Sequence, residues 1–446
     1  MMKNNMQSPE GADLVIQGGM LISMVEGEAP QPRATVLIKG DRIAGIDATG
    51  KIALRDQQAP VIDARGGLIM PGLINAHGHT AMTLFRGLAD DLPLKQWLFE
   101  KIFPAEAKHL TPETVYWGAL LGSVEMIASG TTTVSDGYFH QDATVRAFHE
   151  AGLRGLTAQG VIDFPAPGVP DPKDNLKVGR DFIEKWLHFS DLITPGLFCH
   201  SLSTCSETTL KKAMDICQNF SLPLQIHLSE TKEEVQSLTQ RTGQKPCLYL
   251  DRLGLLTERL VAVHAVHLDD EEIALLARRN VKIVHAPESN MKLSSGAARV
   301  SDMLKAGLTL GIGTDGCASN NDLDLFQEMD TAAKLDKVYT LNPVNMDAQS
   351  VLKMATSGGA KVLGLERDIG TIEVGKKADI IVVDLNSPHL TPFYNPYSVL
   401  VYSASGSDVK DVVVNGKILM KDRKLRTLDP DLVMDRVEQI SRNIAP

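Results

Sequence analysis

Eight short apolar runs, separated by helix-length amphipathic stretches, constrain the fold of this 446-residue chain more than any other feature. The runs occur in "GLINAHGH", "GTTTVSDGY", "LRGLTAQGVID", "TPGLFCHS", "LPLQIHLSE", "RLVAVHAVHL", "VKIVHAPES" and "LTLGIGTDG". Helical candidates such as "TPETVYWGALLGSVEMIASG" and "DDEEIALLARR" lie between them and open with capping residues. Eight strands alternating with helices predict a (β/α)₈ TIM barrel. An open doubly wound sheet is the alternative, but no GxGxxG or GxxxxGK(S/T) sequence follows any of the runs.

The two ends of the chain share a different pattern. From Ala12 to about Gly67, short alternating strands are separated by turn residues, and similar strands return in "KADIIVVDL" and "VKDVVVNGKILM". A final charged segment, "LDPDLVMDRVEQISRN", reads as a helix. We therefore predict a barrel over residues 68–372 and a small composite β-sandwich domain built from residues 1–67 and 373–446, which include the terminal helix.

Charge and cysteine content narrow the range of partners. The formal net charge is −10 with no concentrated basic patch, which argues against nucleic acid and anionic membranes as partners. Five cysteines without CxxC spacing indicate reduced thiols and a cytoplasmic location. The N-terminus "MMKNNMQSPEGADLV" has no apolar signal core. The sequence contains no run of about 18 apolar residues, so we expect no membrane span. A small molecule is the expected partner, and a homo-oligomer is left open.

Titratable residues stand at the ends of six of the eight runs, where a parallel barrel gathers its active-site groups. They are His77, His79, His200, His227, His264, His285 and Asp315. Taken singly, each has a structural explanation, since a strand-end histidine commonly packs in a core and an Asp in "GTDG" commonly caps a turn. The joint pattern instead favours a functional site. His267 is expected to face away from this rim.

The spacing of these residues predicts a metal site. His77 and His79 are two residues apart, so on a strand their side chains project from the same face. Together with His227 and Asp315 they supply three nitrogens and one oxygen, which suit zinc or a similar divalent transition metal and leave room for water. Glu230, three residues beyond His227, is placed to pass protons to a substrate ring nitrogen. The alternative role for Glu230 is to cap the following helix.

The segments "PGLINAHGHTAMTLFRG", "HLSE", "VAVHAVHL" and "GIGTDGCASNN", in this order, resemble the amidohydrolase superfamily. The resemblance is to its adenosine-type branch, the methylthioadenosine and S-adenosylhomocysteine deaminases, and it covers nearly the whole chain. It implies His77, His79, His227 and Asp315 as metal ligands, and Glu230, His264 and Asp315 as catalytic residues. In the implied reaction Asp315 deprotonates the attacking water, His264 positions it, and Glu230 protonates the ring nitrogen beside the amine-bearing carbon. Ammonia then leaves.

The resemblance also bears on the cofactor and the substrate-binding residues. The segment "TPGLFCHSLSTCS" lacks the lysine that bridges two ions in binuclear relatives, which favours one divalent ion, zinc first and iron or manganese as alternatives. Glu106 matches a glutamate that holds ribose hydroxyls, and His200 and Glu230 match residues near the ring. Without the resemblance, Glu106 reads equally well as a solvated helix residue. Trp97 is expected either to form an apolar wall or to pack in the core.

Two departures from the family pattern leave the 5′ substituent of the substrate open. Gln159 stands where homocysteine-binding relatives carry an arginine, and a neutral amide holds a carboxylate less strongly. Leu202 and Ser203 replace the usual Pro-Tyr after His200.

The predicted function is hydrolytic deamination of the adenine ring of a 5′-modified adenosine. Methylthioadenosine, S-adenosylhomocysteine, 5′-deoxyadenosine and aminodeoxyfutalosine are the candidate substrates. Amino- or chlorohydrolysis of another heterocycle, such as guanine or an s-triazine, is the first alternative, and a non-catalytic metal-binding barrel is the second.

Overall fold

A computed structural model describes residues 11–48 and 59–444. The first ten residues, within the N-terminal segment that we expect to carry no signal sequence, lie outside the described residues. Seventeen strands form two separate sheets in the described part of the chain. The strands are β1 Leu14–Leu21, β2 Gln31–Lys39, β3 Arg42–Asp47, β4 Val61–Asp63, β5 Gly67–Pro71, β6 Leu73–Gly78, β7 Thr131–Tyr138, β8 Arg154–Val161, β9 Ile193–Ser201, β10 Leu224–Leu228, β11 Leu260–His264, β12 Lys282–His285, β13 Thr309–Ile312, β14 Ile380–Asp384, β15 Val409–Val414, β16 Lys417–Lys421 and β17 Lys424–Leu425.

Strands β6 to β13 form the predicted barrel. They pair in parallel and in sequence order, and each of the eight predicted runs supplies one of them. A parallel bridge between Gly78 and Asp315 brings the first strand next to the end of the last, so the barrel is nearly closed. The residues of these strands are almost all buried, as expected for parallel strands covered on both faces.

The remaining nine strands form the second sheet, here called the end sheet, and they come from both ends of the chain. Strand β5, Gly67–Pro71, belongs to this sheet although four of its five residues fall within the range predicted for the barrel. The strand order is β17-β16-β15-β14-β5-β1-β2-β3, with β4 pairing in parallel with β1. The seam between the two ends is the antiparallel pair of β5 and β14, in which Gly67 lies opposite Asp384. Apolar side chains from both ends, including Ile16, Val36 and Ile380, share a hydrophobic cluster.

Helices fill the connections between the barrel strands, and several begin at the predicted caps. Thr111 and Asp269 form capping boxes, and Ser206 accepts a hydrogen bond from the Thr209 N–H. The α-helices are Leu94–Gln96, Phe103–His109, Pro112–Ala128, Gln141–Ala151, Asn175–Trp186, Glu207–Asn219, Lys232–Thr242, Pro246–Arg252, Asp270–Arg278, Pro287–Lys292, Val300–Lys305, Leu325–Thr340, Ala348–Lys353, Gly359–Leu363, Pro396–Tyr402 and Pro430–Ile444. Single π turns span Trp97–Ile102 and Met354–Gly358, and 3₁₀ turns span Thr80–Phe85, Pro172–Asp174, Pro388–Leu390 and Gly406–Asp408.

Contacts that tie the barrel to the C-terminal part of the chain include a buried ion pair and the packing of the terminal helix. Arg154, at the start of β8, donates from Nε to Oδ2 of Asp379 over 2.8 Å and from a terminal nitrogen to Oδ1 over 3.1 Å, and both side chains are buried. The terminal helix Pro430–Ile444 places Val433 in a cluster with Ala119 and Leu120 of the helix Pro112–Ala128. The last helix therefore packs on the helices of the barrel. Across the described residues, no helix combines the length and the apolar character needed to cross a bilayer.

Candidate metal centre and active-site cavity

A cavity of about 1310 Å³ opens among the strand ends and holds most of the titratable residues that the sequence analysis singled out. His79, His200, His227, His264 and Asp315 line it. His77 is fully buried and reaches the same group of side chains. His285 is buried but does not line the cavity, and burial lowers its pKa to about 3. His267 was expected to face away, yet it lines the cavity and its Nε2 lies 2.6 Å from the carbonyl oxygen of Ser295.

Four side chains form a group that could hold a metal ion, and they are the four predicted ligands: His77, His79, His227 and Asp315. One ligand atom from each lies within 4.8 Å of the others. Oδ1 of Asp315 lies 3.2 Å from Nε2 of His79 and 3.6 Å from Nε2 of His77. Nε2 of His227 lies 3.2 Å from Nε2 of His77, so two imidazole nitrogens face each other. Three nitrogens and one carboxylate oxygen converging in this way fit a divalent transition metal. We call these four residues the ligand group.

The Nδ1 atoms of His77 and His79, on the side of each ring that faces away from the ligand group, contact other residues. Nδ1 of His79 donates to the Gly137 carbonyl oxygen, and Nδ1 of His77 faces Oε1 of Gln225 at 3.4 Å. Such bonds fix the ring and the tautomer, so that the Nε2 lone pairs point at a common position. Burial lowers the pKa of His77 to about 4, which keeps this ring neutral and able to bind a metal.

Asp315 is held by hydroxyl groups from two other segments. Its Oδ2 accepts hydrogen bonds from Ser289 Oγ over 2.6 Å and from Ser319 Oγ over 2.9 Å, while Oδ1 faces the imidazoles. Although burial acts in the opposite direction, His77 and His79 hold the pKa of Asp315 well below its usual range. The carboxyl group is therefore ionised, as a metal ligand must be.

The backbone at the strand ends is shaped to bring these groups together. Asp315 has φ 61° and His264 has φ 71°, a left-handed conformation that costs a non-glycine residue roughly 1–3 kcal/mol. A Cβ on Gly313 would lie 2.7 Å from the carbonyl oxygen of His77, so only glycine lets the last barrel strand approach the first this closely. The Asp315 N–H donates to that same carbonyl over 3.1 Å.

Glu230 and His264 lie beside the ligand group without belonging to it. Oε2 of Glu230 is 3.7 Å from Nε2 of His264, and its Oε1 accepts a hydrogen bond from Ser295 Oγ over 3.2 Å. Nδ1 of His264 faces Oδ1 of Asn290 at 2.9 Å. Burial raises the pKa of Glu230, so the carboxyl holds its proton at higher pH than an exposed glutamate does. A carboxyl in this state can donate a proton to a ligand in the cavity.

Of the predicted substrate-binding residues, Glu106, His200 and Trp97 line the cavity and Gln159 does not. Glu106 is 3% exposed and accepts a hydrogen bond from the Tyr138 hydroxyl over 2.6 Å. Burial raises its pKa to about 7. Nδ1 of His200 lies 3.0 Å from Thr204 Oγ1, and burial lowers the pKa of this histidine to about 3.

Trp97 and Gln159 differ in their relation to the cavity. Trp97 is buried and lines the cavity, and within the described residues its Nε1 has no hydrogen-bond partner. Gln159 is buried outside the cavity, where its Oε1 lies 3.4 Å from the Gln141 backbone nitrogen. Its amide therefore does not reach the cavity. Ser203 does line the cavity.

Among the site residues that the sequence analysis missed are Ser289, Asn290 and Glu234. The first two lie near the start of the helix after β12, in "ESN", and Glu234 lies in the first turn of the helix after β10, in "SETKEE". Their only signal was a polar residue within the first turn that follows a barrel strand. Several such residues occur at every strand end, and only the side-chain directions distinguish them.

Comparisons with known proteins agree with this geometry. A model of the amidohydrolase family matches residues 68–419. The chain is 46% identical over 435 residues to the 5-methylthioadenosine/S-adenosylhomocysteine deaminase 1 of Syntrophus aciditrophicus, covering 98% of each protein. It is 46% identical over 407 residues to the 5′-deoxyadenosine deaminase of Methanothermobacter thermautotrophicus, covering 91% of this chain and 93% of that one. An adenosine deaminase structure from Xanthomonas campestris with bound zinc superposes with a TM-score of 0.94 at 36% identity, covering 97% of this chain and 98% of that one.

Proposed function

The chain belongs to the amidohydrolase family, and we propose that it hydrolytically deaminates the adenine ring of a 5′-modified adenosine, giving the inosine analogue and ammonia. The observation that carries the proposal is the placement of Glu230 and His264. They form an acid and base pair on the cavity wall next to a complete set of metal ligands, without being part of that set. Relatives that match nearly the whole chain carry the names of methylthioadenosine, S-adenosylhomocysteine and 5′-deoxyadenosine deaminases.

We further propose a single zinc ion as the cofactor, held by His77, His79, His227 and Asp315. The donor set supports zinc, and so does the zinc bound in the Xanthomonas adenosine deaminase. When bound, a divalent ion lowers the pKa of water towards neutrality and so supplies a nucleophile at physiological pH. Iron and manganese bind similar donors, and metal analysis of the purified protein decides between them. A cytoplasmic location is supported by five buried, free cysteines.

In the proposed reaction, Asp315, His264 and Glu230 each have a separate role. Asp315, ionised in the folded protein, accepts a proton from the attacking water. His264 stabilises the oxygen that adds to the amine-bearing carbon. Glu230 donates its proton to the adjacent ring nitrogen, which removes the negative charge that the attack would otherwise build up on the ring. The amine leaves as ammonia after proton transfer, and a carbonyl group remains.

Glu106 and His200 hold the nucleoside in this proposal. Glu106 offers carboxyl oxygens to the two ribose hydroxyls, and the neutral ring of His200 presents Nε2 to the base. The cavity of about 1310 Å³ leaves space for a 5′ substituent, bounded by Trp97 and Phe103. Gln159 lies outside the cavity, so no part of the proposal depends on its amide.

The test is a substrate panel with metal-loaded protein, read by ammonia release and by the change in ultraviolet absorbance. Adenosine, its 5′-deoxy, methylthio and homocysteine derivatives, guanine, adenine and an s-triazine form the panel. We expect turnover of the 5′-modified adenosines and loss of at least about 10²-fold in kcat for Glu230→Gln. Glu113→Gln, an exposed glutamate outside the cavity, is the matched control. Turnover of guanine or triazine alone would replace the proposed substrate, and metal-loaded protein inert on the whole panel would reject an enzymatic role.

A further inference from the structure

Glu234 lines the cavity, and the proposed reaction does not use its contacts. It lies in the first turn of the helix Lys232–Thr242, four residues after Glu230. One of its carboxyl oxygens, Oε2, accepts a hydrogen bond from the Glu230 backbone N–H over 2.8 Å. The other oxygen, Oε1, is buried and has no hydrogen-bond partner within the described residues. A carboxyl with one buried, unpaired oxygen is costly for a protein to keep, so this arrangement needs an explanation.

The bond from Glu234 departs from ordinary helix capping. Thr231 is the N-cap, and its hydroxyl accepts a hydrogen bond from the Glu234 N–H over 3.2 Å. In a capping box the carboxyl at this third position would bond back to the N-cap N–H. Glu234 instead reaches one residue further and bonds to the N–H of Glu230.

The helix that follows β11, Asp270–Arg278, shows the ordinary capping box. Glu272 occupies the equivalent third position and accepts a hydrogen bond from the N–H of its own N-cap, Asp269, over 3.3 Å. Glu272 is buried, and it lies outside the cavity. The chain therefore contains two glutamates at the same helix position, of which only Glu234 bonds to the backbone of Glu230.

Backbone hydrogen bonds hold the residues on either side of Glu230: the Ser229 carbonyl oxygen accepts from the His267 N–H over 3.0 Å, and the Thr231 carbonyl oxygen accepts from the Val235 N–H over 3.2 Å. The chain leaves β10 through Ser229, which has φ 51°, and reaches the helix only at Lys232. The Glu230 side chain has one hydrogen-bond donor within the described residues, the rotatable hydroxyl of Ser295. The bond to Glu234 thus fixes the backbone of Glu230 against the first turn of a helix.

We propose that Glu234 is a positioning residue for Glu230, holding its backbone so that its carboxyl stays between Ser295 and His264 and facing the bound ring. This inference rests on the proposed function, because it assigns Glu230 the role of proton donor. Glu234 also places a second carboxyl next to the first, and two neighbouring carboxyls resist losing both protons. The other charged groups facing Glu230 are His264, Asp315 and His79.

Kinetics of metal-loaded variants test the proposal. Glu234→Ala removes the acceptor and should lower kcat roughly 10- to 100-fold while changing KM far less, since misplacement of a reacting group acts mainly on kcat. Glu234→Gln keeps an oxygen acceptor and should recover most of kcat.

Glu272→Gln is the matched control. It alters the capping carboxyl of the neighbouring helix and should leave kcat and its pH profile as in the parent protein. Thermal unfolding and metal content of each variant establish that it is folded and loaded. If Glu234→Ala retains the parent kcat and pH profile, as Glu272→Gln is expected to, Glu234 is only a helix cap and the proposal is overturned.

Crystal structures separate this inference from the proposed function. In metal-loaded Glu234→Ala, the carboxyl of Glu230 should move away from Ser295 Oγ, whereas in Glu272→Gln it should stay. An unmoved Glu230 in Glu234→Ala contradicts the positioning role whatever the substrate is. Failure of the parent protein to deaminate any adenosine contradicts the proposed function alone, and the crystallographic comparison still decides the role of Glu234.

Discussion

Nδ1 of His264 lies 2.9 Å from Oδ1 of Asn290, and both side chains are buried. The amide oxygen can only accept, so the Nδ1 atom of the ring carries the proton of this bond. Nε2 is the ring atom that faces Glu230. A single amide thus decides both the orientation of the ring and which of its nitrogens reaches the cavity.

Replacing Asn290 therefore should impair catalysis more than substrate binding. We expect Asn290→Ala to lower kcat roughly 10- to 100-fold, because an unanchored ring samples wrong tautomers and orientations. KM should change by much less. Steady-state kinetics measure both, and Asn342→Ala, an exposed asparagine, serves as the control. A kcat within experimental error of the parent value would show that His264 needs no such anchor.

Removing the metal should destabilise the folded chain as well as abolish activity. The ligand group places two imidazole nitrogens 3.2 Å apart, an arrangement that a bound cation stabilises. At a free zinc concentration of 100 times Kd, binding adds about 2.7 kcal/mol to the free energy of unfolding. Calorimetry of chelator-treated protein should show a lowered Tm that added zinc restores, with one ion retained per chain by elemental analysis. Two ions per chain would contradict the single-metal proposal.

Glu106 should make the metal-free protein lose stability as the pH rises. Its pKa is raised from 4.5 to about 7, mainly by burial, so the folded chain holds a proton that the unfolded chain releases. Between pH 4.5 and 7 the unfolded state binds fewer protons, and the free energy of unfolding therefore falls with rising pH, in total by about 3 kcal/mol. Glu106→Gln removes this dependence. Denaturant unfolding should give the variant an advantage over the parent at pH 8 that disappears at pH 4. The same advantage at both values would rule out this titration.

The buried pair of Arg154 and Asp379 should be essential to the joint between the barrel and the end sheet. Arg154→Ala leaves the Asp379 carboxylate buried without its cation, which costs about 3–5 kcal/mol. Chemical denaturation measures this loss. Lys177→Ala, which breaks an exposed ion pair with Asp181 on the barrel surface, is the control and should have little effect. Equal stabilities for the two variants would show that the buried pair is replaceable.

The sequence was sufficient for the features that depend on strand ends. His77, His79, His227 and Asp315 meet because parallel strands bring their carboxyl ends to one rim, and residue spacing reports that directly. Asn290 and Glu234 could not be found in this way, because their roles depend on which of several polar atoms a side chain reaches after a turn. Gln159 shows the same limit. Its position on a barrel strand predicted a side chain in the cavity, but the side chain points elsewhere. His285 ends a strand like the others, but it lies outside the cavity.

The pairing of β5 with β14 has a consequence for the order in which this chain folds during synthesis. Strands β1 to β5 are synthesised before the barrel, and β5 can pair with β1 at once. Its other neighbour is β14, which is made only after all eight barrel strands. Until then the nascent chain carries an open sheet edge, the kind of surface that recruits foreign strands. Loss of the last strands would therefore damage the first-made part of the molecule. The sheet that contains β1 to β5 can therefore be completed only after β14 has been synthesised.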